Sequence, residues 1–292
     1  MHRPAGDQPA HDATHTELSL RERAQPSEKV AWTSAAVWWT LRVGAFLCFV
    51  GHGAFGIATK EGWVHYFSVV GIARETAFQL MPIVGTSDVL LGVLALVRPR
   101  AALLLFMSVW AVWTASLRPL AGEPVWEMLE RAGNYGVPFA LLMMCEWSRV
   151  QRSWFAPIAM TPLSSRTRER LRLVLVATVA LLLIGHGALA MGHKPELVAH
   201  LGLLRLPVGA ASLLPVLGLA EIGCAAWVLW RPSAGLCLFL FGWKLATESL
   251  FLADGAPVWE FVERGGSYAA PLALALLLRM ALPRHAAYLS VH

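Results

Sequence analysis

The sequence predicts an all-α, polytopic membrane protein whose eight transmembrane helices form two parallel four-helix repeats. Three observations predict it. The composition belongs to lipid: of 292 residues 57% are hydrophobic, only 15% are charged, and tryptophan occurs 13 times, a balance unlike that of water-soluble domains. The apolar residues gather into eight runs, near 36–57, 77–97, 101–118, 132–148, 172–191, 208–230, 233–253 and 267–282. At about 20 residues per crossing of roughly 30 Å of hydrocarbon, each run is a candidate span. The third observation is a repeat. Gly122-Glu-Pro-Val-Trp-Glu-Met-Leu-Glu-Arg-Ala-Gly-Asn-Tyr135 returns as Gly255-Ala-Pro-Val-Trp-Glu-Phe-Val-Glu-Arg-Gly-Gly-Ser-Tyr268, an offset of 133 residues. Backbone polar groups in lipid must pair within their own segment, and no alternating barrel pattern competes, so the spans are helices.

The repeat covers each half. The 133-residue offset carries Pro82, Gly85 and Asp88 onto Pro215, Gly218 and Glu221, and Trp110, Thr114 and Ser116 onto Trp243, Thr247 and Ser249. Gly51-His52-Gly53 returns as Gly185-His186-Gly187 at 134, one residue having been lost in the loop between. Every motif therefore has a partner. Because each half holds an even number of spans, both halves face the same way, and their pseudo-twofold axis runs along the membrane normal.

In chain order, residues 1–30 are polar and proline-containing, with no apolar core, and are expected to form a disordered cytoplasmic tail. The first four-helix repeat occupies 31–148. Residues 149–171, with Pro157, Pro162 and an arginine cluster, form a basic cytoplasmic linker along the anionic inner leaflet, and the second repeat occupies 172–292. Fifteen lysines and arginines fall on the side of the N-terminus and seven on the other, with Arg42 and Lys244 inside the membrane. The positive-inside rule then puts both termini in the cytoplasm, as in a multi-pass inner-membrane protein. The net charge of +5 is on this reading a topology signal rather than a nucleic-acid signal. Cys48, Cys145, Cys224 and Cys237 all lie in spans without a Cys-x-x-Cys pair, which fits packing rather than thiol chemistry.

The polar residues converge on the outer half of the membrane. His52 and His186 lie near the outer ends of spans 1 and 5, and Asp88 and Glu221 at mid-depth in spans 2 and 6. A carboxylate in hydrocarbon needs a donor, so His52 is expected to pair with Asp88 and His186 with Glu221. Glu127, Glu130, Arg131 and Tyr135, repeated as Glu260, Glu263, Arg264 and Tyr268, precede spans 4 and 8. At spacings of three and four the two glutamates and the arginine share one helical face. Pro124 and Pro257 suit the first turn of such a helix. The purely structural alternative is that these groups pin an interfacial segment, with Trp126 and Trp259 as belt anchors, and that the glycine-flanked histidines serve close helix packing. Span 7 alone carries Lys244 and Glu248, four residues apart, where span 3 has Ala111 and Ala115. An ion pair in one half alone is read either as specialisation after duplication, which tilts any single site towards the second half, or as a purely structural bridge.

Leu41-Arg-Val-Gly-Ala-Phe-Leu-Cys-Phe-Val-Gly-His-Gly53, the four-span unit, and the glycine–acid opening of span 2 (Gly85 to Asp88, Gly218 to Glu221) resemble the DoxX-like family of small membrane proteins. The resemblance covers roughly 36–148 and 172–282. It implies a four-span bundle and an association with quinone-linked oxidoreductases, known for some members, while many have no assigned activity. It transfers no catalytic residue. The chain departs by tandem fusion, by the repeated Pro-Val-Trp-Glu segment and by lacking paired cysteines.

Three function classes fit: a redox-associated subunit holding quinone or haem, with His52 and His186 as ligands or hydrogen-bonding groups; a proton-coupled transporter using Asp88, Glu221 and Lys244 as a relay; and a scaffold. The partners implied are the lipid bilayer and a membrane or periplasmic protein at the outer acidic surface, with no nucleic acid and no metal. No phosphate-binding glycine loop, Gly-x-Ser-x-Gly or His-Glu-x-x-His motif occurs, so nothing points to nucleotide, hydrolase or zinc-protease chemistry.

Overall fold

The computed structural model describes residues 28–145, 150–151 and 153–280; most of the expected N-terminal tail lies outside them. Twelve α-helices are traced: α1 (Glu28–Ile57), α2 (Val64–Val69), α3 (Arg74–Val97), α4 (Ala101–Leu120), α5 (Trp126–Glu130), α6 (Ala132–Met143), α7 (Ser165–Met191), α8 (Pro195–Gly202), α9 (Ala210–Trp230), α10 (Ala234–Ala253), α11 (Val258–Val262) and α12 (Gly265–Arg279). Among the described residues no β-strand forms, only an isolated bridge between Arg100 and Pro157.

Six of these helices, α1, α3, α4, α7, α9 and α10, are long and apolar enough to cross a membrane, which is the make-up of an integral membrane protein. The sequence predicts eight such spans. The fourth and eighth are instead short, 12 residues in α6 and 15 in α12, or about 18 and 22 Å at 1.5 Å per residue. Each follows a break at an arginine, Arg131 or Arg264, that separates it from the five-residue helix before it. The predicted spans, 132–148 and 267–282, begin just past those arginines; the helices end at Met143 and Arg279, short of the ends of the apolar runs.

The helix ends follow local chemistry. Ser164 caps α7 by accepting from the Thr167 amide at 3.2 Å, and Ser233 caps α10 by accepting from the Leu236 amide at 3.3 Å, each satisfying an orphan donor of the first turn. α3 and α9 stop at Val97 and Trp230, and the next residue in each case precedes a proline and leaves the helical region (ψ 66° at Arg98, 74° at Arg231), which the ring of Pro99 or Pro232 disfavours. The turns after α4 and α10 need a left-handed residue, supplied by Gly122 (φ 92°) and Gly255 (φ 80°), which accounts for glycine at the head of both copies of the repeated segment. Pro124 and Pro257 stand just before α5 and α11 rather than in their first turns.

α1 and α7 bury more than half of their apolar windows, whereas α3, α4, α9 and α10 bury a third or less and turn Ile83, Leu90, Val109, Val216, Leu219 and Phe239 outwards. The pattern of packing recurs. α1 lies on α3 as α7 lies on α9, and α4 lies on α6 as α10 lies on α12. Contacts between the halves also recur: α1 with α11 and α12, α7 with α5 and α6. At the centre α6 meets α12 so closely that a Cβ on Gly133 would sit 2.7 Å from the Ser267 amide nitrogen.

Candidate functional site

The His–carboxylate pairs form. His52 Nδ1 lies 2.8 Å from Asp88 Oδ2, and His186 Nδ1 lies 2.5 Å from Glu221 Oε2. The second oxygen of each carboxylate accepts an indole N–H, from Trp110 at 3.0 Å and from Trp243 at 2.6 Å. A carboxylate receiving two donors fixes the histidine tautomer: Nδ1 donates and Nε2 is left for another partner. The flanking glycines are explained by two close approaches. A Cβ on Gly53 would sit 2.5 Å from the Gly85 carbonyl oxygen, and one on Gly187 2.6 Å from that of Gly218, so these glycines admit the acid-bearing helix. A Cβ on Gly51 would sit 2.5 Å from Glu263 Cα, and one on Gly185 2.6 Å from the Leu129 carbonyl carbon. Those two admit the short helix of the opposite half.

The interfacial charges form a network that joins the halves. Arg131 Nη1 donates to Glu127 at 2.9 Å and Glu130 at 3.0 Å, and Arg264 Nη1 to Glu260 at 3.0 Å and Glu263 at 3.1 Å. The sequence reading did not single out Lys60 and Lys194. Lys60 reaches Glu260 of the second half at 2.6 Å, and Lys194 reaches Glu127 of the first at 2.7 Å. The signal was present, since the two lysines share the 134-residue offset of the histidines. Tyr135 and Tyr268 do not join this network; each donates to a main-chain carbonyl, Met128 at 3.3 Å and Phe261 at 3.0 Å, and fastens the short helix to the next one. No buried side-chain nitrogen or oxygen among the described residues lacks a partner.

The halves differ in space. A cavity of about 290 Å³ opens beside His52, walled by Trp63, Tyr66, Phe67, Trp110 and Trp113 and floored by Ala111 and Ala115. Glu130, Arg131, Glu248, Glu263 and Arg264 border it at the junction of the halves. Its size is near the lower end of the roughly 300–1,000 Å³ usual for small-molecule sites, and an aromatic lining with a few polar groups is their common make-up. In the second half, Lys244 and Glu248 replace Ala111 and Ala115. They pair at 2.7 Å, and Glu248 also meets Arg264 Nε at 2.7 Å. The His52 side chain keeps 29% exposure against 10% for His186, and His52 stacks on Trp63 with ring centroids 4.5 Å apart. The cavity lies between the halves, lined mostly from the first but also by Glu248, Glu263, Arg264 and Ser267 of the second, so it leans away from the half that the Lys244–Glu248 pair marks in the sequence. His52 borders this cavity and His186 does not, so the two do not form a bis-histidine site around it.

The cysteines pack. All four are free, and buried Cys48 accepts the Gly266 amide at 2.8 Å. Among the described residues no cluster of three or more metal-ligating side chains forms. Comparison with protein-family models, curated proteins and solved structures finds no match for this chain.

Proposed function

We propose that this chain is a multi-pass inner-membrane protein of two parallel four-helix repeats, with both termini cytoplasmic, which binds the headgroup of a quinone or quinol in the cavity beside His52. The repeat reading is supported by the duplicated packing; in it, α5 with α6 and α11 with α12 make the fourth and eighth membrane segments, their shortness tolerated where protein encloses them. The fifteen-to-seven division of basic residues supports the orientation, which puts the cavity on the outer side. Membership of the DoxX-like family belongs to the same proposal, and a membrane or periplasmic redox partner goes with it.

The observation that carries the ligand is the open His52 opposed to the closed His186. With Nδ1 donating to Asp88, His52 Nε2 accepts a hydrogen bond from a quinol hydroxyl, and Asp88 stabilises the imidazolium that forms if the proton crosses. Three indoles give a flat apolar ring its stacking surfaces. Among the described residues every buried side-chain nitrogen and oxygen has a hydrogen-bond partner, which favours a fixed scaffold over a mid-membrane proton relay.

Quenching of tryptophan fluorescence by a short-tailed benzoquinone and its quinol tests this in purified protein. Saturable quenching is expected, with Kd raised about ten-fold by His52→Ala, the equivalent of about 1.4 kcal/mol for one lost hydrogen bond. Ala115→Leu, which fills the floor and leaves the His52–Asp88 pair intact, is expected to weaken binding similarly. Linear, non-saturating quenching unaffected by either substitution contradicts the proposal.

A further inference from the structure

The cavity has two sides, and they are built differently. On the aqueous side α2 lies across it, contributing Tyr66 and Phe67, with Trp63 just before it and Ile72 just after. This cover is latched. Tyr66 Oη donates to Glu123 at 2.5 Å, His65 Nε2 lies 3.1 Å from the same carboxylate oxygen, and Arg118 holds the other oxygen at 3.0 Å. The Arg118 guanidinium also sits over the Tyr66 ring, 5.1 Å from its centroid. The Tyr66–Glu123–Arg118 latch belongs to this half: in the other copy Glu123 is replaced by Ala256 and Tyr66 by His200, which lies 3.6 Å from Asp254.

The flank is open in a different sense. α3 packs along α1 and α4 packs against α6, so the two helices, joined by a tight turn, contact each other little. The cavity reaches the space between them, where Leu80 and Val84 of α3 face Trp113 and Leu117 of α4. Val84 is ten residues into α3, about 15 Å below its start at 1.5 Å per residue, which is hydrocarbon depth in a core of roughly 30 Å. The outward residues beside this gap, Ile83 and Val109, are apolar and exposed.

We infer that the cavity is loaded sideways from the bilayer through the gap between α3 and α4, so that its ligand is a lipid-soluble molecule whose apolar tail stays in the gap. This rests on the quinone reading of the same cavity and adds route and substrate class. A water-borne molecule must displace the latched α2, whereas a membrane-borne one enters between Leu80 and Val84 on one side and Trp113 and Leu117 on the other.

The test is the rate of tryptophan quenching in proteoliposomes, with a long-tailed isoprenoid quinone in the lipid or a short-tailed benzoquinone added to the water. Val84→Phe narrows the gap from α3 and Leu117→Phe from α4, so the two together guard against misfolding of one. Each is expected to lower the ratio of long-tailed to short-tailed capture rates by five-fold or more. Tyr66→Phe, which loosens the latch, is expected to accelerate the short-tailed quinone only. An unchanged ratio in both gap variants, or acceleration of the long-tailed quinone by Tyr66→Phe, overturns the lateral route while leaving the site intact. Absence of saturable capture of either quinone by the unaltered protein overturns the site and the route together.

Discussion

A histidine between two glycines has the same pairing in both halves, and the fate of its free nitrogen is decided by residues on another helix. Ala111 and Ala115 leave room beside His52; Lys244 and Glu248 occupy that room in the second half. Lys244 is 1% exposed and Glu248 3%, and Glu248 holds the Lys244 ammonium at 2.7 Å, so removing the glutamate strands a buried cation. Glu248→Ala is expected to destabilise the protein by about 3–5 kcal/mol, read as a loss of melting temperature in detergent. Lys60→Ala, whose side chain is 36% exposed, should cost about 1 kcal/mol; equal losses contradict the assignment of Lys244 to a buried pair. The latch carries a pH dependence. Burial pushes the Glu123 carboxyl up, but the Tyr66 hydroxyl, Arg118 and His65 outweigh it, leaving its pKa below the usual value. A depressed carboxyl stabilises the closed cover above its unfolded pKa, about 4.3, and loses that contribution as pH falls through the lower, folded value. Hydrogen exchange in residues 61–72 is therefore expected to rise on acidification below about pH 4 and to lose that dependence in Glu123→Gln.

At the level of elements, glycine sets how closely helices approach. Gly133 and Gly266 let α6 and α12 touch at the centre, whereas a Cβ on Gly223 of α9 would meet nothing within 4 Å. Gly133→Ala is expected to cost about 1–3 kcal/mol by overpacking. Gly223→Ala should be neutral or gain up to about 1 kcal/mol of helix propensity; thermal melts of the two variants separate these outcomes. Much of this was legible in the sequence, because lipid imposes helices and the repeat pairs each motif with a second copy. The His52–Asp88 and His186–Glu221 pairs were legible for a related reason, since few donors exist at that depth. Three features were not. The shortness of the fourth and eighth helices is hidden from hydropathy, because apolar residues continue past Met143 and Arg279, where the helices end. Lys60 and Lys194 look like ordinary loop cations until the fold carries each to the opposite half. The Lys244–Glu248 pair tilts the sequence reading towards the second half because charge is conspicuous in a sequence, whereas space made by two alanines is not.

Across the whole molecule the two halves grip each other by exchange. The short helix of each packs on the histidine-bearing helix of the other, and Lys60–Glu260 and Lys194–Glu127 repeat the exchange as ion pairs. A frame held this way supports one open and one closed version of the same site, so function need reside in only one copy. The pseudo-symmetry supplies an internal control, because Trp243 stands where Trp110 does and Trp227 and Trp230 offer exposed indoles. The most direct measurement is photolabelling of the membrane-embedded protein with a photoreactive quinone, followed by mapping of the modified residues by mass spectrometry. Labels should concentrate on Trp63, Trp110 and Trp113 and be displaced by excess unlabelled quinone. Labels divided equally between Trp110 and Trp243, or confined to Trp227 and Trp230 and insensitive to competition, would contradict a ligand site in the first half.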